Sequence, residues 1–438
     1  MKTRTLQIFI VLSLLVSVAT GCEKSHPDGA KDPDRVMILW SAGFNSISSY
    51  LENDVDELKA GSYVPTKESK NILLVVSKFK KSSSYADQVS PTVVRLYRSQ
   101  GSVVADTVMT LDKGTRLADA GTFRSVLTSV KTKYPASHYG LIISSHGTGW
   151  LPEGYYSNPK NFESTAAGRS ARAAGESSGA RSNDGRTPYI ESPAEGEGHI
   201  AVKTATQEVY IEGGQKYSVE VGIEELAAAI PMHMDYILFD MCLMGGVETV
   251  YALKDVADYI VVSPAETLAE GFIYDKIAEK LLKPESPDLK GACEDFFNYY
   301  NGKNGDYQSA TVTMVKTSGL DELASTCKIL FEKNRDEIDD EEGDDIQGYF
   351  RFDRHYFYDL EDILRNAEAS KADLAALETA LSGCIPYKAA TKTFIPHDDG
   401  FSIDHYCGLS MYLPSEGSDY LDAYYKTLSW NKATGLVD

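Results

Sequence analysis

Continuous apolar runs, separated by segments of helical periodicity, constrain the fold of this chain more than any other feature. Four of them are prominent, beginning at Arg35 (RVMILWSAG), Asn71 (NILLVVSKF), His138 (HYGLIISS) and Tyr236 (YILFD). A strand that is apolar on both faces is buried on both faces, as in a parallel sheet covered by helices. We therefore predict an α/β fold with a mostly parallel central sheet flanked by helices.

Shorter patterns add further predicted elements. Helices are predicted over 46–59 and, from apolar residues at helical spacing, over 120–134. The runs TVVRLYR and VVADTVMTL predict a strand hairpin, and CGLSMYLP (407–414) predicts a strand. The acidic run over 335–345 does not have the spacing of an EF-hand, so we expect a solvated loop, with a calcium site as the alternative.

The first residues have the pattern of an export signal. Lys2 and Arg4 precede an apolar stretch that is too short to span a membrane comfortably, and small residues stand directly before Cys22. We predict a lipoprotein signal peptide over 1–21, lipidation of Cys22 and a polar tether over 22–35. The protein would then be a membrane-anchored bacterial lipoprotein in the periplasm or on the cell surface. The alternative is an ordinary signal peptide with an incidental cysteine.

The net charge of −21 excludes one class of partner. Nucleic acid is not expected, because a phosphate backbone needs clustered lysine and arginine. No cofactor is expected either, and the cysteine spacings do not suggest zinc or thioredoxin chemistry. Calcium use is left open, without a ligand set.

Cys242 and His146 form a candidate catalytic pair. Each follows a predicted strand, and Cys242 precedes a helix predicted to start near Gly245, whose N-terminus would stabilise a thiolate. If the two strands are neighbours, imidazole and thiol face one crevice, and the N–H groups of Gly147 and Cys242 can form an oxyanion hole. Taken singly, such a cysteine is more often a structural residue, and such a histidine is more often a loop residue. A serine hydrolase is disfavoured because the sequence has no G-x-S-x-G elbow.

Together, SSHGTGW and DMCLMGGVE resemble the clostripain family of cysteine peptidases, within the caspase–gingipain–legumain group. The segments VMILWSAG, ADYIVVSPAE, YDLEDIL and GLSMYLP follow the same order, from Val36 to Pro414. The resemblance implies a caspase-like sandwich over 36–414, with 415–438 as a C-terminal extension. It also implies a His146/Cys242 dyad, cleavage after arginine or lysine, and production as a zymogen cut between the two residues. Some members use calcium.

Three acidic residues are candidates for the pocket that binds the basic P1 side chain. Asp240 stands two residues before the nucleophile, and Glu266 and Glu270 follow the next predicted strand. A buried carboxylate there would pair with a guanidinium or ammonium group and discriminate against neutral side chains. The alternative for Asp240 is a capping or core-bridging carboxylate.

A long segment over 152–206 separates His146 from Cys242. It is rich in Ala, Gly and Ser, and we expect a flexible, exposed loop. Its basic residues are candidate positions for the activating cut, and those considered are Lys160, Arg169, Arg172, Arg181 and Arg186. The alternative is a passive insertion.

The sequence therefore predicts an exported cysteine endopeptidase that cleaves after Arg or Lys. Two other functions stay open. One is a surface lipoprotein that kept the fold for binding and lost catalysis, which the presence of both dyad residues disfavours. The other is an asparaginyl-type relative with a neutral P1 pocket, which Asp240 disfavours.

Overall fold

The structure, a computed structural model, describes residues 34–163, 187–191, 198–204, 206–282 and 286–438. The predicted signal peptide, Cys22 and most of the tether lie outside these ranges. The same is true of Arg169, Arg172, Arg181 and Arg186. Among the described residues, no helix has the length and apolar character needed to cross a membrane.

A nine-stranded sheet forms the centre of the fold, in the order β13-β11-β10-β9-β5-β1-β2-β3-β4. Its five inner strands, from β10 to β2, are parallel, and the strands beyond them on both sides are antiparallel. The nine strands of this sheet, in chain order, are β1 Arg35–Gly43, β2 Asn71–Phe79, β3 Thr92–Ser99, β4 Ser102–Thr110, β5 His138–Ser144, β9 Met234–Asp240, β10 Ala257–Val262, β11 Thr311–Lys316 and β13 Tyr387–Ala390.

The inner strands are buried on both faces, as is usual for parallel strands connected by helices. All nine residues of β1 are buried, and so are most residues of β2, β5 and β9. Helices cover both faces and continue the same apolar core. The predicted α/β architecture with a helix-flanked, centrally parallel sheet is confirmed, as is the β3–β4 hairpin.

Thirteen α-helices surround the sheet in the described part of the chain. The first four are α1 Ser48–Ala60, α2 Ala120–Lys133, α3 Pro159–Glu163 and α4 Ile223–Ala229. The next five are α5 Val247–Ala252, α6 Tyr274–Leu281, α7 Leu289–Asn301, α8 Leu320–Lys333 and α9 Arg335–Asp340. The last four are α10 Leu360–Asn366, α11 Lys371–Cys384, α12 Asp419–Tyr425 and α13 Ser429–Thr434.

Local sequence explains where the predicted helices begin. The Asp119 side chain accepts a hydrogen bond from Thr122 N–H and caps α2, whose apolar positions are the buried ones. Helix α1 begins two residues later than predicted, at Ser48, and buries one face against β1 and β2.

Three small sheets complete the fold. They are β6-β8-β7, built from Thr187–Pro188, Gln215–Val219 and Glu208–Glu212, the pair β12 Tyr358–Asp359 with β16 Ser410–Met411, and the pair β14 Thr393–Phe394 with β15 Phe401–Ser402. The strand predicted over 407–414 is thus only two residues long. The main chain after Met411 hydrogen-bonds a side chain instead of another strand, since Tyr412 N–H donates to Glu248.

The acidic run over 335–345 is not the loop that we expected. It forms the short helix α9 and a 3₁₀ turn over Gly343–Asp345. Ile338 is buried on the inner side of α9, so an apolar anchor within the run orders it.

The predicted C-terminal extension, 415–438, is part of the same core. Helices α12 and α13 bury Tyr425 and Trp430 completely, and Trp430 packs against Tyr251 of α5. Large aromatic side chains with this much apolar area drive such docking.

Both described ends of the long 152–206 segment are ordered against the core, although we predicted an exposed loop. Tyr155, Tyr156 and Phe162 are buried at its beginning, and Lys203 and Thr204 are buried at its end. The average composition of the segment does not reveal these buried residues, because its middle is rich in Ala, Gly and Ser.

Glu248 joins the C-terminal region to the helix that follows Cys242. Its fully buried carboxylate accepts hydrogen bonds from Tyr412 N–H at 3.0 Å and from the Tyr425 hydroxyl at 2.7 Å. Burial raises the pKa of Glu248 from 4.5 to about 7, even though these hydrogen bonds favour the charged form. Below about pH 7, the neutral acid is therefore the preferred form in the folded protein.

Glu248→Gln should flatten the pH dependence of stability. A raised folded pKa means that the contribution of Glu248 is complete below pH 4.5 and is lost as the pH rises towards 7. Between these values the wild type should lose roughly 3 kcal/mol more unfolding free energy than the variant. Urea denaturation from pH 4.5 to 8 measures this, with the exposed Glu378→Gln as the matched control. Parallel curves for wild type and Glu248→Gln would contradict it.

Candidate active site

Neighbouring parallel strands bring His146 and Cys242 to one edge of the sheet. Ser144 at the end of β5 is in register with Asp240 at the end of β9. His146 and Cys242 each lie two residues beyond this pair, so they leave the sheet at the same level. The crevice at the carboxyl ends of parallel strands is the usual place for a ligand in such folds.

The thiol of Cys242 is held at a sharp turn. Thr267 N–H donates to Sγ at 3.0 Å, and Leu243, which follows the cysteine, has a φ of 62°. A left-handed conformation at a branched residue is strained and persists only where the surroundings impose it. Helix α5 begins at Val247, slightly later than the predicted start near Gly245. The main-chain N–H group that donates to the sulfur is that of Thr267.

Two N–H groups converge on a single carbonyl oxygen, that of Lys203. Gly147 N donates to it at 2.9 Å and Cys242 N at 3.1 Å. A Cβ at Gly147 would lie only 2.7 Å from the Cys242 carbonyl oxygen, so this close approach requires glycine. Two preorganised N–H groups on one oxygen are the arrangement that stabilises an oxyanion during acyl transfer.

The side chain of the same lysine enters a buried acidic pocket. Its Nζ lies 2.5 Å from Asp240 Oδ2, 3.2 Å from Asp54 Oδ2 and 3.0 Å from Ser144 Oγ. The Tyr274 hydroxyl also donates to Asp240, at 2.8 Å. Lys203, Asp54 and Asp240 are all essentially inaccessible to solvent.

Gly271 closes the floor of this pocket. It has a φ of 64°, and a Cβ there would lie 2.4 Å from Asp240 Oδ2 and 2.5 Å from Lys203 Nζ. A larger residue would therefore fill the space that the ammonium group occupies, so the pocket is sized for a long basic side chain.

The charges in the pocket are strongly coupled. Burial lowers the pKa of Lys203, but Asp240 and Asp54 more than offset this, so its pKa lies above the ordinary value. Burial raises the pKa of Asp54, Lys203 opposes that shift, and the charge of Asp240 adds to it. The Lys203 ammonium is therefore charged, and the Asp54 carboxyl is shifted towards its protonated form.

Residues before Lys203 bind as an added strand. Lys203 N–H donates to Thr267 O at 2.8 Å, and Ala269 N–H donates to Ala201 O at 2.9 Å. Val202 and Leu268 form an antiparallel bridge between these bonds. Strand addition of this kind is a common mode of peptide recognition, because main-chain hydrogen bonds do not depend on sequence.

The candidate dyad is buried beneath this segment and uncharged. Burial raises the pKa of the Cys242 thiol well above its ordinary value, with the Glu266 carboxylate acting in the same direction. Burial and the Lys203 ammonium lower the pKa of His146 to about 3. Ser46 Oγ lies 2.7 Å from His146 Nε2, and the imidazole also hydrogen-bonds the main chain of Lys203.

The two candidate glutamates do not contact the lysine ammonium. Glu266 is buried, and its oxygens accept from the Thr204 hydroxyl and from Arg351 Nε. Glu270 is partly exposed, and its charge raises the pKa of Tyr50 on helix α1 in addition to the effect of burial. Of the three predicted acids, Asp240 is the one that pairs with the basic side chain.

Three residues at the site did not emerge from the sequence. The arginine-rich middle of its segment masks Lys203, although a lysine inside the apolar IAVKTA is a visible signal. Asp54 lies on the buried face of α1 with Leu51 and Leu58, and a carboxylate on an apolar helical face is also detectable. Ser46 carried no signal of its own.

The described residues hold no group of three or more His, Cys, Asp or Glu side chains placed to bind a metal ion. The five cysteines in the described ranges are buried free thiols. Apart from Cys242, they are Cys293, Cys327, Cys384 and Cys407, which we expected to be core or incidental residues.

Comparisons with known proteins identify the family and fold of the chain. The model of the clostripain family matches residues 39–162 and 216–432. An inactive zymogen C11 protease from Parabacteroides distasonis is 25% identical, with a TM-score of 0.69, over 92% of this chain and 99% of that one. A secreted C11 cysteine protease from Bacteroides thetaiotaomicron, solved with an irreversible peptide inhibitor, is 22% identical, with a TM-score of 0.68 and the same coverage. A search of curated proteins finds no match.

The family match covers well over half of the chain, and the long gap in it spans most of the segment between the two candidate catalytic residues. The chain therefore belongs to the clostripain family of cysteine peptidases.

Proposed function

We propose that the protein is an exported endopeptidase that cleaves after lysine or arginine, and that the intact chain is its zymogen. One observation carries this proposal: the Lys203 carbonyl is bound by Gly147 and Cys242 N–H groups while its ammonium is bound by Asp240 and Asp54. A residue bound in this way occupies the position of a P1 residue. The Lys203–Thr204 bond is then the bond to be cut.

In the first half of the reaction, Cys242 Sγ attacks the carbonyl carbon of the P1 residue. His146 takes the thiol proton, and the two N–H groups stabilise the negative oxygen of the tetrahedral intermediate. The C–N bond breaks when His146 delivers that proton to the leaving amine. A thioester then links Cys242 to the P1 residue.

In the second half, water replaces the departed amine. His146 takes a proton from the water as it attacks the thioester, and the thiol leaves with that proton. The products are a new carboxylate on the P1 residue and the regenerated dyad. Ser46, at 2.7 Å from Nε2, holds the imidazole in one orientation through both halves.

The intact chain is poorly reactive because its own segment covers the dyad. Burial keeps both the thiol and the imidazole neutral, whereas a reactive cysteine needs thiolate character. A cut after Lys203 breaks the chain between His146 and Cys242, which permits the segment ending at Lys203 to leave the site. We propose this lysine as the processing position, in place of the basic residues named from the sequence.

Lipidation at Cys22 completes the proposal for location. The predicted signal ends at a cysteine preceded by small residues, and the polar segment after it would link the lipid to a folded domain. The protein would then act on peptides or proteins close to a membrane surface.

Purified wild type should be converted into two fragments, of which the second begins at Thr204. Lys203→Gln should abolish this cut, since an amide cannot replace the ammonium between two acids, and Lys203→Arg should keep it. A denaturing gel with N-terminal sequencing measures both, with Lys160→Gln as the control at an exposed lysine. A new N-terminus elsewhere in the segment, or the same cut in purified Cys242→Ala, would contradict the assignment.

The processed enzyme should prefer Lys or Arg at P1 over Asn, Asp or Ala by at least ~100-fold in kcat/KM, because a buried acid without a partner costs several kcal/mol. Asp240→Asn should remove most of this preference, and the exposed Asp258→Asn should not. Fluorogenic peptides that differ only at P1 provide the measurement. A measured preference for Asn or Asp would reject the pocket.

Cys22→Ser should release the protein from membranes, because the serine hydroxyl cannot carry the thioether-linked lipid. Fractionation of cells into soluble and membrane parts, followed by immunoblotting, measures the change. Ser25→Ala in the tether is the control. Unchanged membrane association of Cys22→Ser would argue against lipidation.

A further inference from the structure

The residue after Lys203 is also specifically bound. Thr204 is buried, and its hydroxyl donates to Glu266 Oε1 at 2.7 Å. If the Lys203–Thr204 bond is the one that is cut, Thr204 occupies the P1′ position on the leaving side. Glu266 is then a side chain that contacts P1′, and the Thr204 side chain also hydrogen-bonds the Cys242 thiol.

Glu266 is held rigidly by a buried arginine. Arg351 Nε donates to Glu266 Oε2, and Arg351 Nη1 donates to the Asp398 carbonyl oxygen at 2.8 Å and to its Oδ2 at 3.2 Å. The side chains of Glu266 and Arg351 are almost completely buried. One carboxylate oxygen is thus committed to Arg351, and the other points at the P1′ side chain as a fixed acceptor.

We propose that Glu266 makes the S1′ subsite selective for a hydroxyl-bearing residue, so that the preferred bonds are Lys/Arg–Thr and Lys/Arg–Ser. This inference rests on the proposed function and specifies its substrate class. A Thr or Ser hydroxyl donates a hydrogen bond to Glu266 Oε1. A valine, which has the shape of threonine, leaves that charged acceptor buried without this donor. An acidic P1′ side chain is repelled, and a basic one meets Arg351.

The first test uses internally quenched peptides with Lys at P1 and Thr, Ser, Val or Ala at P1′, cleaved by the processed full chain. Thr and Ser should exceed Val and Ala by about 10-fold in kcat/KM, since hydrogen bonds to charged groups are among the stronger ones. Equal rates at all four would overturn the S1′ inference and leave the peptidase function standing. Failure to cleave any of the four would instead reject the proposed function.

The second test asks whether Glu266 is the cause. In Glu266→Gln the ratio of Thr to Val rates should fall towards one, because the acceptor loses its charge. Glu270→Gln, four residues further along the same loop, is the matched control and should keep the wild-type ratio. The ratio within one enzyme is the readout, since Glu266 also affects the Cys242 pKa and would change all rates together. An unchanged ratio in Glu266→Gln would overturn the inference.

A third test needs no change at Glu266, where loss of the Arg351 partner could impair folding. Thr204→Val keeps the shape of the P1′ side chain and removes its hydroxyl, and Thr204→Ser keeps the hydroxyl. The first should slow conversion at the Lys203–Thr204 bond by about 10-fold and the second should not. Time courses on a denaturing gel, with melting temperatures to confirm folding, measure this. Conversion of Thr204→Val at the wild-type rate would overturn the inference.

Discussion

The rest of the site depends on one buried ammonium group. Lys203 Nζ lies between Asp240 and Asp54, away from solvent, and such a charge is stable only where several partners replace its water. Because the pocket fixes the end of the side chain, it also fixes where the main chain of Lys203 can run. That main chain passes between Gly147 and Cys242, so the contact that satisfies the charge also delivers a peptide carbonyl to the nucleophile.

The same burial that secures the lysine suppresses the chemistry. A thiolate–imidazolium pair needs either water or a compensating charge. Here the charge with the largest effect on the histidine pKa is the Lys203 ammonium, and the one with the largest effect on the thiol pKa is the Glu266 carboxylate. The ammonium disfavours a protonated imidazole and the carboxylate disfavours a thiolate, so both add to the effect of burial. In the proposed mechanism, the closed chain therefore holds its own segment in the site and reacts slowly, as a zymogen requires.

The sequence predicted what depends on local pattern and missed what depends on tertiary placement. Strand-forming runs ending at Ser144 and Asp240 were visible, and parallel pairing then brings His146 and Cys242 together. Asp54 reaches the same pocket from helix α1, and this requires knowing that α1 packs against β1 and β2. Glu266 was expected in the P1 pocket, but its carboxylate accepts from Thr204 and Arg351 instead of Lys203, and Arg351 is distant in sequence.

Arg351 connects the two sides of the covered bond. It binds Glu266, which holds Thr204, and it binds Asp398, whose carboxylate accepts from Ile200 N–H and pairs with His199. Contacts on both sides of a peptide bond hold it extended and limit its motion relative to the thiol, which favours attack. Because the segment is also part of the same chain, it competes for the site with any other peptide at a high effective concentration. In the proposed mechanism, removal of the tether on one side is therefore the step that lets a second substrate enter.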